Sequence, residues 1–430
     1  MVSHCFPTYI SLGTALQEEE PTNQTGMSTH SIGAVRALSI TDFRALSVSA
    51  VVGGVTFFGE MLVLGWLVLE LTDSPFMVGL AIGLRQAPSL IFGIPFGAVA
   101  DRFDRKFLLV ITVITLTVTT LVMAVLLKLD WLDLWALLTL NTLLGTWWTG
   151  LRTLRQSMTY DIVGARDMVS GLSINILAQR LGGIVGAIGI GAVLDATDPA
   201  TGYGVITVAH AVTLLSVLII KSRERLVTSA KESVLKNLKE FAVEVRTNPS
   251  LALLVLLTGG IEILGFSTMA LMPSIARDVL GFGPDGLGVI QGVAAIGGMS
   301  AVLVLAVAGE IKRSGLVFLI TLVVFGASLV WLGQSSSLYM VLAAIALVNA
   351  SMAVTDVLSQ GLMQSVVPNE QRGRAAGAWQ VAVGFGPFGN VQTGWIAGAA
   401  GLSVALTLNG GLLFALAGLS LMFAKGLRRL

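Results

Sequence analysis

The chain has 430 residues, of which 54% are hydrophobic and 12% charged, and its formal net charge is +1. Soluble globular proteins carry about 25% charged residues, because polar groups must face water over most of their surface. The composition therefore excludes a soluble enzyme, a nucleic-acid-binding protein and a disordered scaffold, and it indicates a membrane protein with many spans.

Apolar runs long enough to cross a bilayer as helices recur along the chain. Six precede a polar segment, at 44–70, 76–99, 107–127, 134–151, 171–194 and 204–220. Six follow it, at 251–274, 286–308, 315–333, 338–363, 376–399 and 402–424. We number these runs span 1 to span 12 in chain order. They predict an all-α polytopic membrane protein, because continuous apolar runs do not show the alternation of a β-barrel.

The division of the chain follows from these runs. We predict an N-terminal tail (1–42), two six-helix bundles (43–220 and 249–424), a linker (221–248) and a short C-terminus (425–430). Nearly all Lys and Arg residues lie in the linker and in loops on the same side as the N-terminus, which predicts that both termini are cytoplasmic. The linker is expected to form an amphipathic surface helix.

The two halves repeat each other. The glycine pattern of Gly53–Gly59 in span 1 recurs at Gly259–Gly265 in span 7. The segment Ala98–Arg105 has a counterpart at Ala306–Arg313. Nearly constant offsets predict a duplicated six-helix unit, which is how many secondary transporters are built.

The strongest motif, GAVADRFDRK at 97–106, lies between spans 2 and 3. It resembles the signature G-x3-D-R-x-G-R-K of the major facilitator superfamily, with Asp104 where the signature has Gly. The resemblance implies the major facilitator fold: two pseudo-symmetric bundles of six helices around a central cavity that opens alternately to either side. It also implies a protein that works as a monomer.

A finer resemblance covers most of residues 42–400. The segments LELTDSP at 69–75, RQSMTYDIV at 155–163 and VPNEQRGR at 367–374 resemble those of bacterial exporters of the enterobactin-exporter and macrolide-efflux type. These are similar to drug:proton antiporters, so the resemblance implies a proton-driven exporter in the inner membrane. The arginine often found inside span 4 of such antiporters is expected to be absent, with Arg152 and Arg155 at the cytoplasmic end.

The motif itself predicts a conformational latch. Asp101 can accept hydrogen bonds at the positive end of a facing helix, and the resemblance implies that this helix is span 11. The latch residues are Gly97, Asp101, Arg102, Arg105 and Lys106. The alternative is a positively charged loop that only fixes the topology.

Charged residues within the spans are the leading functional candidates, since each costs several kcal/mol in lipid unless it is paired or hydrated. The proton-coupling candidates are the carboxylates Glu60, Glu262 and Asp356, and their candidate partners are Arg85 and Arg180. The alternative for Glu60 is an ion pair with one of these arginines that ties the N-terminal bundle together. The alternative for Asp356 is an inner gate.

Polar and aromatic residues in the spans are candidates for the cavity wall. They are Thr56, Phe57, Asn141, Trp147, Trp148 and Phe266. Aromatic residues in membrane helices also face lipid or neighbouring helices, and that alternative stays open. His210 in span 6 is expected to be a packing or interfacial residue, and the alternative is a proton relay.

Cofactor chemistry is not expected. The chain has no G-x4-G-K-[ST] motif for ATP, and its single Cys5 excludes a cysteine metal site. The sequence therefore predicts a protein that is not an enzyme and has no cofactor and no metal.

The predicted function is export of a small amphipathic organic molecule, of the drug or siderophore class, by proton-coupled antiport. Its partners would be the substrate, protons and the lipid bilayer, with no nucleic acid. The alternatives are a proton-independent facilitator, a lysolipid flippase of the same fold, and a non-transporting membrane sensor.

Overall fold

The structure, a computed structural model, describes residues 28–100, 102–221, 245–309, 311–367 and 372–430. Within these ranges the chain forms helices and turns, without a strand. A short helix, Ser28–Ser39, precedes the first span. The linker predicted as a surface helix lies mostly outside the described residues, as does Asp101.

The N-terminal half comprises spans 1 to 6. Their helices are Thr41–Thr72, the pair Pro75–Gln86 and Pro88–Ala100, Arg105–Lys128, the two parts of Leu134–Ala196, and Pro199–Ile219. Spans 4 and 5 are the two parts of Leu134–Ala196, and they meet at Gly164. Gly164 has φ 76° and ψ 172°, a conformation outside the helical region that only glycine adopts without strain. The chain turns there, so the spans on either side are separate.

The C-terminal half comprises spans 7 to 12. Span 7 runs from Pro249–Leu264 through Phe266–Leu271, Met272–Ser274 and Ile275–Val279. Spans 8 to 12 are Pro284–Ala308, Ser314–Gln334, Leu338–Ser365, the pair Arg372–Val383 and Gly386–Ala400, and Leu402–Phe423, followed by Lys425–Arg429. Ten helical segments of the described chain are long and apolar enough to cross a membrane. The other two predicted crossings are span 4 and the interrupted span 11.

Side-chain caps mark where several spans begin. Asp104 accepts from the backbone N–H of Phe107 at 2.6 Å at the start of span 3, and Asn248 accepts from Leu251 at 3.1 Å at the start of span 7. Such caps satisfy N–H groups that the first helical turn leaves free. Asp104, which replaces the Gly of the superfamily signature, therefore has a local structural role.

Part of the predicted tail is folded against the N-terminal half. The guanidinium Nε of Arg36 lies 3.2 Å from Asp167 Oδ2 near the start of span 5. A Cβ at Gly33 would lie 2.8 Å from the Ser170 hydroxyl. The helix Ser28–Ser39 is thus attached to span 5.

The two halves contact each other at the ends of their helices that are predicted to face outward. A Cβ at Gly79 in span 2 would overlap the Asn390 carbonyl oxygen of span 11. A Cβ at Gly191 in span 5 would lie 3.1 Å from Gly288 Cα of span 8. Small residues allow this close backbone approach.

The described glycines at the inner ends of spans 2 and 11 lack this contact. A Cβ at Gly93 or Gly97 in span 2, or at Gly377 in span 11, would meet no described atom within 4 Å. We therefore interpret the structure as closed between the halves on the predicted outer side and open toward the predicted cytoplasmic side.

We expect the substitution Gly79→Leu to shift the population toward a form open on the outer side, because the added side chain cannot fit against the Asn390 carbonyl. Spin labels at the exposed outer positions Asp130 and Ser336 would report a longer distance between the halves. Gly411→Leu is the matched control, since a Cβ there meets no atom within 4 Å. An unchanged distance in the Gly79 variant would contradict this interpretation.

Candidate functional site

Glu262 lies midway along span 7, where the two halves meet. The residue is only 7% exposed, and no cation or hydrogen-bond donor among the described residues pairs with its carboxylate. Its Oε2 lies 3.2 Å from the position that a Cβ of Gly386 would occupy. Gly386 begins the second helix of span 11, so the carboxylate lies beside the positive end of a helix dipole.

Gln86 of span 2 connects the surroundings of Glu262 to the N-terminal half. Its side-chain Oε1 also lies 3.2 Å from the Gly386 Cβ position, and it accepts a hydrogen bond from Asn390 Nδ2 at 3.2 Å. The bond joins span 2 to span 11. The same helix start therefore contacts the unpaired carboxylate of one half and the amide of the other.

Asp356 and two arginines form the rest of the charge group between the halves. Asp356 in span 10 is half-buried and interacts electrostatically with Arg180 of span 5 and Arg152 of span 4. Its carboxylate also repels that of Glu262. Arg180 Nη1 lies 3.9 Å from the position of a Gly298 Cβ in span 8. Asp356 thus interacts electrostatically with Glu262 of its own half and with Arg180 of the other half.

Glu60 belongs to a different cluster, inside the N-terminal half. Its carboxylate is fully buried and pairs with the Arg85 guanidinium. Trp148 Nε1 donates to it at 2.9 Å, and His210 Nε2 lies 2.6 Å from its other oxygen. Arg85 in turn donates to Asn141 Oδ1 at 3.3 Å. The ion pair expected as the alternative for Glu60 is therefore present, with Arg85 and not Arg180 as its partner.

The candidates for the cavity wall fall into two groups. Thr56, Asn141 and Trp148 are buried within the N-terminal bundle. Phe57, Trp147 and Phe266 are half-buried. Phe57 packs edge-on against Trp148, with ring centroids 5.1 Å apart. The side chains of the second group are therefore partly exposed.

The described latch residues make contacts within the N-terminal half. Arg105 Nη1 donates to both oxygens of Asp161, at 2.9 and 2.8 Å. Lys106 Nζ donates to the Leu218 carbonyl at 3.3 Å. Arg102 is exposed, and Gly97 meets no described atom of the other half within 4 Å. Asp101 lies outside the described residues, so its predicted contact with span 11 stays a prediction.

Arg155 was expected at a cytoplasmic helix end, and the structure corrects this. Span 4 continues beyond the predicted end at residue 151, and Arg155 is only 7% exposed. Its Nη2 donates to the Ser49 carbonyl of span 1 at 3.0 Å. Gly53 leaves room for the guanidinium, because a Cβ there would lie 2.8 Å from Nη2. The charge of Arg152 ended the apolar run in the sequence, although the helix continues through both arginines.

Sequence reasoning also missed an ion pair at the outer end. Arg277, in the last turn of span 7, pairs with Asp73 just after span 1. Arg277 also donates to the Leu69 carbonyl at 3.4 Å. This outer ion pair joins the two halves on the side where their glycines also meet.

Comparisons with known proteins agree with this architecture. The family model of the Major Facilitator Superfamily matches residues 45–389. No curated protein sequence shows significant similarity. The chain is similar in structure to the nucleoside transporter NupG, with a TM-score of 0.73 at 13% identity, covering 89% of this chain and 99% of that one.

Two further structures have the same fold. One is a bacterial homologue of the human lysosomal transporter Spinster in an inward-facing, unoccupied conformation, with a TM-score of 0.69 at 13% identity, covering 94% of this chain and 98% of that one. The other is the peptide transporter POT in complex with sulfate, with a TM-score of 0.71 at 12% identity, covering 91% of this chain and 95% of that one. At these identities the likeness shows the fold alone.

Proposed function

This chain belongs to the Major Facilitator Superfamily, and we propose that it exports a small amphipathic organic molecule across a bacterial inner membrane by proton-coupled antiport. The substrate would be of the drug or siderophore class, and the protein would work as a monomer. The observation that carries the proposal is Glu262, a buried carboxyl without a cationic partner among the described residues, placed where the halves meet.

An unpaired carboxylate at this depth is costly, and either a proton or a cationic group of a substrate removes that cost. The two therefore compete for the same group, which is the basis of antiport. Glu60 differs, because Arg85, Trp148 and His210 already compensate its charge. Among the three candidate carboxylates, the geometry thus favours Glu262 as the proton carrier.

The surroundings of Glu262 supply a route from protonation to conformational change. A charged carboxylate stabilises the positive end of the helix Gly386–Ala400, and a proton removes that stabilisation. The same helix bonds to Gln86 and packs against Gly79 of the other half. Proton binding would therefore alter the contact that closes the outer side. A ligand that binds the outward-closed and outward-open forms with different affinity shifts the equilibrium between them.

Purified protein in liposomes loaded with a pH-sensitive dye tests the proposal. A proton gradient is imposed, and siderophores, macrolides and lipophilic dyes are added one at a time. We expect at least one of them to trigger proton movement in the direction opposite to its own. Transport without a proton signal would instead establish a proton-independent facilitator, and no transport of any compound would contradict the proposed function.

A further inference from the structure

Each half of the protein contributes charged groups of one sign to the gap between the halves. The C-terminal half contributes the carboxylates Glu262 and Asp356, and the N-terminal half contributes the guanidinium groups Arg180 and Arg152. Among the described residues, none of these four groups lies within 4.0 Å of an opposite charge. The gap thus has an acidic side and a basic side.

The acidic and the basic groups also lie against different helices. Glu262 lies beside Gly386 of span 11 and near Gln86 of span 2. Arg180 lies on the opposite side, against Gly298 of span 8. Asp356 in span 10 interacts electrostatically with both Glu262 and Arg180. A molecule that enters from the inner side meets a negative charge at one end and positive charges at the other.

We propose that the substrate is a zwitterionic amphipathic molecule whose cationic group binds at Glu262 and whose anionic group binds at Arg180 and Arg152. This inference rests on the proposed function and names the substrate class of the same cavity. A cationic group at Glu262 displaces the proton, as antiport requires. The anionic group supplies an ion-pair partner within 4.0 Å, which neither arginine has among the described residues, and guanidinium groups bind carboxylate and phosphate oxygens well.

Electrostatics favours a zwitterion over a molecule with one charge. With Glu262 ionised, the two carboxylates and two guanidinium groups sum to zero, so a ligand with zero net charge leaves the group balanced. A purely anionic ligand places an uncompensated negative charge near Glu262 and Asp356. A purely cationic ligand leaves Arg180 and Arg152 without an anion other than Asp356. Uncompensated charge is costly in a membrane interior.

A matched set of ligands with one apolar body tests this inference. The probes are 6-(aminomethyl)-2-naphthoic acid, its amide, its N-acetyl derivative and its N-acetyl amide, which are respectively zwitterionic, cationic, anionic and neutral, with the amine and the carboxyl group at opposite ends of the naphthalene ring. Binding to the full-length protein in nanodiscs is measured by naphthyl fluorescence. We expect the zwitterion to bind at least about tenfold more tightly than the other three, equivalent to about 1.4 kcal/mol.

Two variants assign the ends of the ligand. Glu262→Gln should remove the advantage of the free amine, so that the zwitterion and the N-acetyl form bind alike. Arg180→Gln should remove the advantage of the free carboxylate, and Arg180→Lys should retain part of it. Arg44→Gln is the control, because Arg44 is exposed at the inner end of span 1, away from this group, and bonds to Thr41.

Several outcomes would overturn the inference. One is that the cationic or the anionic probe binds as tightly as the zwitterion or more tightly. Another is that Arg180→Gln weakens the binding of all four probes equally. A third is that the folded protein binds none of the four probes. The liposome assay with the siderophore, macrolide and dye panel reports proton coupling independently. Failure of the substrate class is therefore distinguishable from failure of the proposed function.

Discussion

The variant Glu262→Gln is expected to reduce substrate-triggered proton movement to the level of protein-free liposomes. Glutamine keeps the shape of the side chain but cannot bind and release a proton. Because the carboxylate has no ion-pair partner among the described residues, the substitution leaves no other charge unpaired, and we expect normal insertion and folding. The measurement is dye fluorescence in liposomes under an imposed proton gradient.

Glu70→Gln provides the matched control for this experiment. Glu70 is an exposed carboxylate near the outer end of span 1, so the same chemical change there should leave coupling intact. Substrate exchange without a proton gradient should persist in Glu262→Gln, provided that the glutamine amide still accommodates the cationic group of the substrate. Coupled proton movement that survives in Glu262→Gln would assign the carrier elsewhere, with Glu60 and Asp356 the next candidates.

The fold could be predicted from the sequence to a large extent, because bilayer thickness fixes the length of each apolar run. The predicted ends of span 1, at 44 and 70, lie within three residues of the helix Thr41–Thr72. Span 4 was predicted too short, since the charge of Arg152 ended the apolar run. The end of span 7 departs from an α-helix at Phe266–Leu271, and apolar character alone does not encode this change.

The site was less predictable, because hydropathy identifies charges within spans but not their partners. Glu60 and His210 are 150 positions apart in the chain, and only the packing of span 1 against span 6 brings them together. Gln86 gave no signal in the sequence, since a single amide near the middle of an apolar run is compatible with many roles. The division of charge between the halves likewise required the tertiary arrangement.

The second large effect is expected on stability. Arg85→Ala should destabilise the protein by about 3–5 kcal/mol, the usual cost of leaving a buried charge without its partner. The Glu60 carboxylate is fully buried and Arg85 is 4% exposed, so water cannot replace the guanidinium. Arg85 also donates to Asn141 and lies over the Phe57 ring, 5.8 Å from its centroid. Thermal unfolding of detergent-purified protein measures the effect.

The double variant Glu60→Gln, Arg85→Met separates charge from packing. It removes both buried charges at similar volume, so it should be more stable than Arg85→Ala, as replacement of buried ion pairs by neutral groups often is. If the double variant folds and still couples substrate to protons, the Glu60 cluster holds the N-terminal half together and Glu262 carries the proton. Loss of coupling in a stable double variant would instead make Glu60 part of the proton pathway.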